Sequence, residues 1–526
     1  MPARTIVALS TLIGLAVATG SFAGPLDPPA GPVTPTGKTL TEVEPRTALD
    51  APAGQIITID APGSYYLTGD RDDLTSNGVR VLSGGVTLDL NGFALRGTGA
   101  DNFFISEIGV FISQDAGQDH TGPIVIRDGS ITNFADGGIV SRTTLVEVVV
   151  EGVAVEYGDE GGIVIPGDGR VSGCTVTTRP DPTGTTAGIS VGFDGAVESG
   201  FDGIVRDCVV SGTPRVGIEV RAGSVSGCRV QRAGAQGYLF GSVVVTAEPI
   251  EVSNCLALQC AGGGFYARNR GTFVDCSALS SGSHGFRADR TGVFERCIAH
   301  SSAGNGFFGS ENGVYRGCVA RFSSEGGGDG SNGFRVGSAS VLNDCVAAFN
   351  GGAGFRSDDG TAFTNCSSSG NATGFTTEEN ATLTGCSAKD NAGDGFLTDD
   401  GSVISACVSS SNAANGFVLL PNGTITDSTA TLNGTTGFVI NSGRISGCTA
   451  SENGRDGISA GGTTTVDSNT AVANAGAGIQ VAGNALAIKN AASGNSPDFR
   501  ILPGANAGPV ASNLATATSP FANVIY

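Results

Sequence analysis

Tryptophan is absent from this sequence, methionine occurs once, and only 15% of the residues are charged. The chain therefore has few long side chains with which to fill a thick globular core. Glycine is abundant instead: it accounts for 84 of the 526 residues, which is about twice the usual share. This composition favours a thin core of small residues with many turns that need positive φ.

Histidine and basic residues are also scarce. The three histidines, His120, His284 and His300, lie in no triad or HExxH pattern, and we interpret them as surface or turn residues. Lysine and arginine together number 29 against 49 acidic residues, which gives a net charge of −20. Such an acidic chain is repelled by nucleic acid, so we expect no nucleic-acid partner.

The first 23 residues have the pattern of a signal peptide. Arg4 gives a basic start, an apolar stretch follows, and Ser21-Phe22-Ala23 fits a small-x-small cleavage site. An uncleaved anchor is the alternative, but the apolar stretch is short for a membrane span. We find no transmembrane segment after the signal, and the sequence predicts a secreted or cell-surface protein.

Twelve of the thirteen cysteines mark a repeat of about 21 residues, and only Cys260 lies outside it. The position runs through Cys174, Cys208, Cys228, Cys255, Cys276, Cys297, Cys318, Cys345, Cys366, Cys386, Cys407, Ser428, Cys448, Asn469 and Asn490. Cysteines stacked in this way would have parallel Cβ vectors, a poor geometry for disulfides. We interpret them as buried thiols; a local Cys255–Cys260 pair is the alternative.

Three further columns keep the same register. A small residue, usually alanine, follows the cysteine position by two residues, and Gly-Phe or Gly-Ile follows it by about ten. Asparagine follows it by five residues in eight consecutive coils, at Asn350, Asn371, Asn391, Asn412, Asn433, Asn453, Asn474 and Asn495. We expect the asparagines to adopt the left-handed conformation of a tight turn and to bond to one another along the column.

The repeat predicts an all-β fold: a single-stranded, right-handed parallel β-helix, which is a solenoid with coils of about 21 residues. Each coil has three short apolar segments separated by turns, and none is long enough for a helix. Stacked coils place like residues above like at roughly 4.8 Å. The pattern of leucine-rich repeats and the six-residue repeat of left-handed β-helices are both missing.

The repeat also sets the predicted domain limits. Residues 24–55 do not repeat and form a Pro-rich lead-in. Residues 56–500 form the β-helix, and residues 501–526 leave the repeat and form a cap over the open β edge. We expect a monomer.

The chain resembles the right-handed parallel β-helix superfamily, which includes pectate lyases and polygalacturonases. The asparagine column is similar to the asparagine ladder of that superfamily. Three N-terminal segments resemble uncharacterised secreted bacterial β-helix repeat proteins: residues 34–47, PGSYYLT at 62–68 and VTLDLNGF at 86–93. The resemblance implies the fold and export, and no single activity.

The sequence departs from the enzyme patterns of that superfamily. Polygalacturonases carry Asn-Thr-Asp, Asp-Asp, Gly-His-Gly and Arg-Ile-Lys in that order. Here Ser283-His284-Gly285 precedes Asp358-Asp359, and the first and last elements are missing. No pectate-lyase calcium motif is present either. The resemblance therefore implies no catalytic residue, and the catalytic residues are unknown.

One column predicts a ligand-binding face. The residue after each Gly-Phe should point outward, and five coils place Tyr266, Arg287, Phe308, Arg335 and Arg356 there. Residues 265–356 contain nine arginines and seven acidic residues, whereas residues 357–526 contain five basic and thirteen acidic residues. A basic, partly aromatic band predicts a polysaccharide partner of negative charge. A solvated strand face with local ion pairs is the alternative.

Acidic pairs recur at one turn of three successive coils. They are Asp358, Asp359, Glu378, Glu379, Asp399 and Asp400. Stacking these turns would create a stripe of carboxylates whose repulsion favours binding of a cation such as Ca²⁺. A hydrated acidic turn is the alternative, since neither an EF-hand loop nor the glycine-rich calcium repeat occurs.

Taken together, these features favour a non-catalytic secreted or cell-surface β-helix protein with a structural or carbohydrate-binding role. The alternative is a polysaccharide lyase or glycoside hydrolase acting on an anionic polysaccharide. The missing tryptophan and the missing enzyme motifs favour the first function. The arginine column keeps the second open.

Overall fold

A computed structural model of the protein describes residues 46–99, 106–113, 121–179, 187–193, 201–241, 249–323 and 331–526. Short strands alternate with turns, and each coil contributes one strand to each of three parallel ladders. This confirms the predicted all-β solenoid. The described part contains a single short 3-10 helix, Leu514–Thr516, and no helix there is long and apolar enough to span a membrane.

The first ladder carries the Gly-Phe column. Its strands are Ile57–Ile59, Val79–Val81, Ile108–Ile112, Gly137–Ser141, Gly161–Ile165, Ile189–Val191, Ile218–Val220, Tyr238–Phe240, Phe265–Ala267, Phe286–Ala288, Phe307–Gly309, Phe334–Val336, Ala353–Ser357, Thr373–Thr377, Phe396–Thr398, Phe417–Leu419, Phe438–Asn441, Ile458–Gly461, Ile479–Val481 and Phe499–Ile501. All of these strands pair in parallel with their neighbours.

The strands of the second ladder come directly before the cysteine position in each coil. Its strands are Thr47–Leu49, Gly63–Leu67, Val86–Asp89, Ile124–Thr132, Val148–Tyr157, Gly169–Ser172, Gly203–Arg206, Gly223–Ser226, Ile250–Ser253, Gly271–Val274, Gly292–Glu295, Val314–Arg316, Val341–Asn343, Ala362–Thr364, Thr382–Thr384, Val403–Ser405, Gly423–Thr426, Gly443–Ser446, Thr465–Asp467, Leu486–Ile488 and Asn506–Ala507.

The strands of the third ladder come directly after the cysteine position in each coil. Two long strands, Ile124–Thr132 and Val148–Tyr157, belong to both the second and the third ladder. Its own strands are Arg71–Leu74, Ala94–Gly97, Thr175–Thr178, Val209–Ser211, Arg229–Gln231, Leu256–Leu258, Ser277–Leu279, Ile298–His300, Val319–Arg321, Val346–Ala348, Ser367–Ser369, Ser387–Lys389, Val408–Ser410, Thr429–Thr431, Thr449–Ser451, Thr470–Val472, Ala491–Ser493, Val510–Ala511 and Asn523–Ile525.

The predicted boundaries can be compared with these strands. Residues 1–23, interpreted as a signal peptide, lie outside the described residues, as does most of the lead-in. Strand Thr47–Leu49 already pairs with Gly63–Leu67, before the predicted start at Ile56. Within the predicted cap, Asn523 returns to the end of the solenoid, and its Oδ1 accepts hydrogen bonds from Asn490 N and Nδ2 at 3.1 and 3.0 Å.

Aromatic rings fill the core behind the first ladder. Phe375 is fully buried, and its ring stacks on Phe355 and on Phe396 with centroids 4.8 Å apart in each case. The stack is continuous from Tyr238 to Phe438, one ring per coil. Coil spacing matches the separation of stacked aromatic rings, so each coil adds one ring contact.

The asparagine column forms a buried hydrogen-bonded ladder. Oδ1 of Asn412 accepts from N and Nδ2 of Asn391 at 3.0 and 2.8 Å, and Nδ2 of Asn412 donates to Asn433 Oδ1 at 3.0 Å. The bonding along the column is thereby confirmed. The predicted left-handed conformation of the asparagine is wrong, because the residue before it takes that conformation: Ser411 has φ 55°.

The glycine and asparagine columns depend on each other. A Cβ atom at Gly395 would lie 2.8 Å from Nδ2 of Asn412, which is too close for a real contact. Gly333, Gly354, Gly416, Gly437 and Gly457 would meet the asparagine amide of the next coil in the same way. In the coils with the asparagine ladder, glycine before the buried apolar residue therefore leaves room for the amide of the following coil.

The cysteine column is buried along its whole length, and all thirteen cysteines are free thiols. The hydroxyl of Ser428 and the amide of Asn469 occupy the same position in later coils and accept from the backbone N–H of Cys407 and Cys448. Burial raises the pKa of the Cys448 thiol to about 12, which disfavours the reactive thiolate.

Thiol counting tests the state of this column. We expect all thirteen cysteines to react with an alkylating agent after denaturation without reductant, and almost none to react in the native protein, because burial blocks access. The masses of the alkylated chain give both counts. A denatured protein that needs reductant before most of its cysteines react would contradict the prediction.

Candidate functional site

The first ladder places the predicted ligand-binding residues side by side on its outer face. Register pairs Tyr266 with Arg287, Arg287 with Phe308, Phe308 with Arg335, and Arg335 with Arg356. All five are half-buried, and the phenylalanines before them are buried. We call these five residues the Arg-aromatic row. Five coils give the row a length of roughly 20 Å.

Arg287 is held tightly within the row. Its guanidinium carbon lies 4.8 Å from the ring centroid of Tyr266 and 5.6 Å from that of Phe308. Nε donates to Asp289 Oδ1 at 2.7 Å, and the Tyr266 hydroxyl donates to Asp289 Oδ2 at 2.5 Å. Burial and this hydrogen bond raise the pKa of Tyr266. Asp289 was not among the predicted site residues, although it stands three residues after a buried phenylalanine as Asp358 does.

The other two arginines differ from each other. Nη2 of Arg335 lies 2.7 Å from Asp358 Oδ1, so one carboxylate of the predicted metal stripe is committed to an arginine. Among the described residues, Arg356 forms no ion pair and is half-buried. Arg356 is therefore the arginine of the row whose positive charge is available to a ligand.

A cleft of about 360 Å³ opens beside the row. Its walls include Phe308 and Arg335 and the acidic residues Asp289, Glu311 and Asp358. The cleft is thus mixed in charge, although the region as a whole is basic. The sequence predicted the arginines here and singled out Asp358 only as a metal ligand, whereas Asp289 and Glu311 were not predicted.

His284 also belongs to this surface. Its ring stacks on Phe308 with centroids 4.9 Å apart, and its Nδ1 accepts from the backbone N–H of Asn305 at 3.1 Å. Burial, and then the charge of Arg287, lower the pKa of His284. The imidazole is therefore neutral at neutral pH and adds no positive charge to the row.

The acidic turns stack on successive coils, as the sequence predicted. The backbone N–H of Glu379 donates to Asp359 Oδ1 at 3.2 Å, and that of Asn380 donates to the carbonyl oxygen of Asp400 at 2.8 Å. Within the described ranges, no three His, Cys, Asp or Glu side chains come together in a group that could hold a metal ion. Calcium binding by this stripe stays a prediction, which a calcium titration of the purified protein can test.

Glu219 is a residue of this face that the sequence analysis missed. It lies on strand Ile218–Val220, where it pairs with Leu239, which in turn pairs with Tyr266 of the row. Burial raises the pKa of Glu219, while the charges of Arg268 and Arg215 act in the opposite direction. A carboxyl group whose pKa is raised by burial is a feature of functional sites.

Glu219→Gln is expected to raise the melting temperature at neutral pH. The folded protein holds the proton more tightly than the unfolded chain, so stability is lost as pH rises through the raised pKa. Glutamine does not ionise, so the gain should vanish below a pH of about 4, where the unfolded glutamate is also protonated. Thermal melts across pH measure this, with the exposed Glu251→Gln as control. An equal gain at all pH values would contradict the assignment.

Residues 324–445 match the family described as Right handed beta helix region. No curated protein matches the chain. Among solved structures, the periplasmic alginate epimerase AlgG is 8% identical, with 77% of this chain and 76% of that chain covered and a TM-score of 0.26. The A-module of the Azotobacter vinelandii mannuronan C-5 epimerase AlgE4 is 14% identical over 81% and 91%, with a TM-score of 0.25.

Pectate lyase Pel9A is 13% identical over 64% of this chain and 68% of that chain, with a TM-score of 0.22. At these TM-scores the three likenesses carry no argument about activity. The parallel ladders and the family match do establish the architecture. This chain is a right-handed parallel β-helix protein.

Proposed function

We propose that this chain is an exported, non-catalytic β-helix protein that binds an anionic polysaccharide along the Arg-aromatic row. The observation that carries the proposal is the contiguous row itself: three arginines and two aromatic residues lie on five consecutive coils beside an open cleft. The predicted signal peptide supports export to a compartment where such glycans occur.

The shape of the row suits an extended chain. Its length of roughly 20 Å is comparable with a few sugar rings. Guanidinium groups recognise carboxylate or sulfate groups through paired hydrogen bonds. Arg356 supplies the charge that no carboxylate of the described chain neutralises.

The neighbouring carboxylates limit the strength of this attraction. Asp289 and Asp358 each neutralise one arginine of the row. A bound anionic group must compete with them or pair with Arg356. We therefore expect modest affinity that falls as salt is raised, because the contacts are exposed charges.

The test is a calorimetric titration with polygalacturonate, alginate and a sulfated glycan. The triple variant Arg287/Arg335/Arg356→Ala is expected to lose binding by at least about tenfold, since each charge-assisted contact contributes about 1 kcal/mol or more. The matched control is Arg296/Arg316/Arg321→Ala, which removes the same charge from the other two ladders. Equal binding by the two triple variants would contradict a site at the row.

A polysaccharide-cleaving enzyme is the second candidate, and Glu219 is the observation that favours it. A carboxyl group whose pKa is raised by burial can donate a proton to a leaving group. Glu219 faces outward on the same ladder as the row. In this function the row would position the glycan, and Glu219 would act as the general acid.

An activity screen separates the two functions. Purified protein is incubated with charged and neutral polysaccharides, with and without Ca²⁺, and assayed for new reducing ends and unsaturated products. Under the proposed function the glycans remain intact although they bind. Products that form with the wild-type protein and disappear with Glu219→Gln would instead establish the enzyme.

A further inference from the structure

A second aromatic feature lies on the outer edge of the solenoid, at the turn that follows the third ladder. The rings of Phe322 and Phe349 stack with centroids 5.5 Å apart and planes 12° from parallel. Both are exposed, with 41% and 58% of their surface accessible. They occupy the same turn position on successive coils, which the pairing of Val319–Arg321 with Val346–Ala348 fixes.

The backbone makes these two residues unusual. Phe322 and Phe349 have φ of 53° and 56°, the left-handed conformation that disfavours bulky side chains. The same turn position carries small residues in adjacent coils: Ser280 and Ser301 before the pair, and Gly370 after it. Leu432 shows that a large side chain is tolerated at this position on a later coil. Phe322 and Phe349 are distinguished by being two exposed rings that stack on successive coils.

A groove of about 540 Å³ lies on one side of the stack. Phe322 forms one wall, and Ser280, Ser281, Ser301 and Ser302 line it together with Gln259. On the other side, Phe349 covers Phe322 and itself packs over Gly370, where an added Cβ would lie 2.7 Å from the ring. On the coil before Phe322 the nearest ring is that of His300, 5.1 Å away between centroids and tilted by 55°, so the parallel stack ends at Phe322 where the groove begins.

Two buried hydroxyl groups lie behind the groove. Ser281 and Ser302 are 3% and 1% exposed, and neither Oγ has a hydrogen-bond partner in the described part of the chain. Both oxygens face the glycine column, since an added Cβ at Gly264 or Gly285 would lie 3.1 or 2.9 Å from them. The hydroxyl and amide groups that a ligand in the groove can reach are therefore those of Ser280, Ser301 and Gln259.

We propose that this groove binds one ring of a neutral oligosaccharide, stacked on Phe322. A pyranose ring presents an apolar face to an aromatic side chain and hydroxyl groups to serine and glutamine, which matches this lining. No charged side chain lines the groove among the described residues, so an anionic sugar would lose solvation without gaining a charge partner. The uncharged ligand thus differs from that of the Arg-aromatic row.

This site goes beyond the proposed function, because it lies after the third ladder and not on the first. The row selects negative charge, whereas the groove selects a flat, uncharged ring. A branched or mixed polysaccharide could meet both surfaces, but each surface is defined by its own residues. Either site can therefore fail in an experiment without affecting the other.

The experiment titrates the protein with cellohexaose, laminarihexaose and mannohexaose by calorimetry. We expect at least one of them to bind, and Phe322→Ala to weaken that binding by at least about tenfold. Ser301→Phe should abolish it, because the new ring continues the stack into the groove at a position where the next two coils already carry phenylalanine. Leu432→Ala is the matched control, since Leu432 is exposed at the same turn position, with φ 56°, on a later coil.

The wild-type protein provides a second measurement that needs no variant. Binding to the groove should persist at about 1 M salt, where charge screening is nearly complete, whereas binding at the row should be lost. Absence of binding to all three oligosaccharides would overturn the proposal. Salt-sensitive binding, or Phe322→Ala and Ser301→Phe that fold and bind as the wild type does, would overturn it as well.

Discussion

Phe375→Ala is expected to lower the free energy of unfolding by about 3–5 kcal/mol, the largest effect of any single change considered for this protein. The ring is fully buried and contacts Phe355 and Phe396 above and below, with Phe363 at its edge 5.8 Å away between centroids. Each coil contributes a single side chain to this column. The cavity therefore interrupts the stack, and neighbouring coils can close it only by shortening their spacing.

Urea denaturation measures this loss, and hydrogen exchange shows where it acts. The control is Thr376→Ala, the next residue on the same strand, whose side chain faces outward. Its effect should stay within about 0.5 kcal/mol. Similar denaturation midpoints for the two variants would show that the aromatic stack does not stabilise the solenoid.

Asn412→Ala is expected to cost about 1–3 kcal/mol, because it leaves buried polar groups without partners. The backbone N–H and the amide of Asn391 both lose their acceptor, at 3.0 and 2.8 Å, and the carbonyl of Ala388 loses its donor at 3.1 Å. The site is buried, with Asn412 only 1% exposed, so water cannot replace the amide without opening the turn.

Thermal melting gives the size of this effect, with Thr429→Ala as the control. Thr429 is half-buried and lies on the third ladder in the following coil, outside the asparagine ladder. The loss from Asn412→Ala should clearly exceed that from the control. A melting midpoint equal to that of the wild type would mean that the ladder bonds are dispensable.

Much of the buried structure could be predicted because it repeats. The inward direction of Cys276, Ala278 and Phe286 follows from strand alternation once the register is known, and all three are fully buried. The outward row next to Phe286 follows by the same alternation. Side chains that alternate along a strand carry a period in the sequence, and a period can be read without coordinates.

The surroundings of the candidate site could not be predicted in the same way. Asp289 pairs with Arg287, and Asp358 pairs with Arg335, through turn residues that follow the strands. His284 reaches Phe308 from the preceding coil. Turn conformations decide such contacts, and they vary where residues are inserted or exchanged. The sequence therefore predicted the positive charges of the row and gave local ion pairs as the alternative, but it did not identify which carboxylates pair with which arginines.

Sequence by itself determined the repeat, the all-β solenoid and the two buried columns of asparagine and phenylalanine, because identical coils must bury identical faces. The tertiary structure decided the features that do not repeat from coil to coil. It showed that the residue before each asparagine, such as Ser411, takes the left-handed conformation. It also placed Phe322 beside a groove and left Arg356 without a carboxylate partner in the described chain. These features depend on which turn side chains of adjacent coils meet, and that is set only when the coils stack.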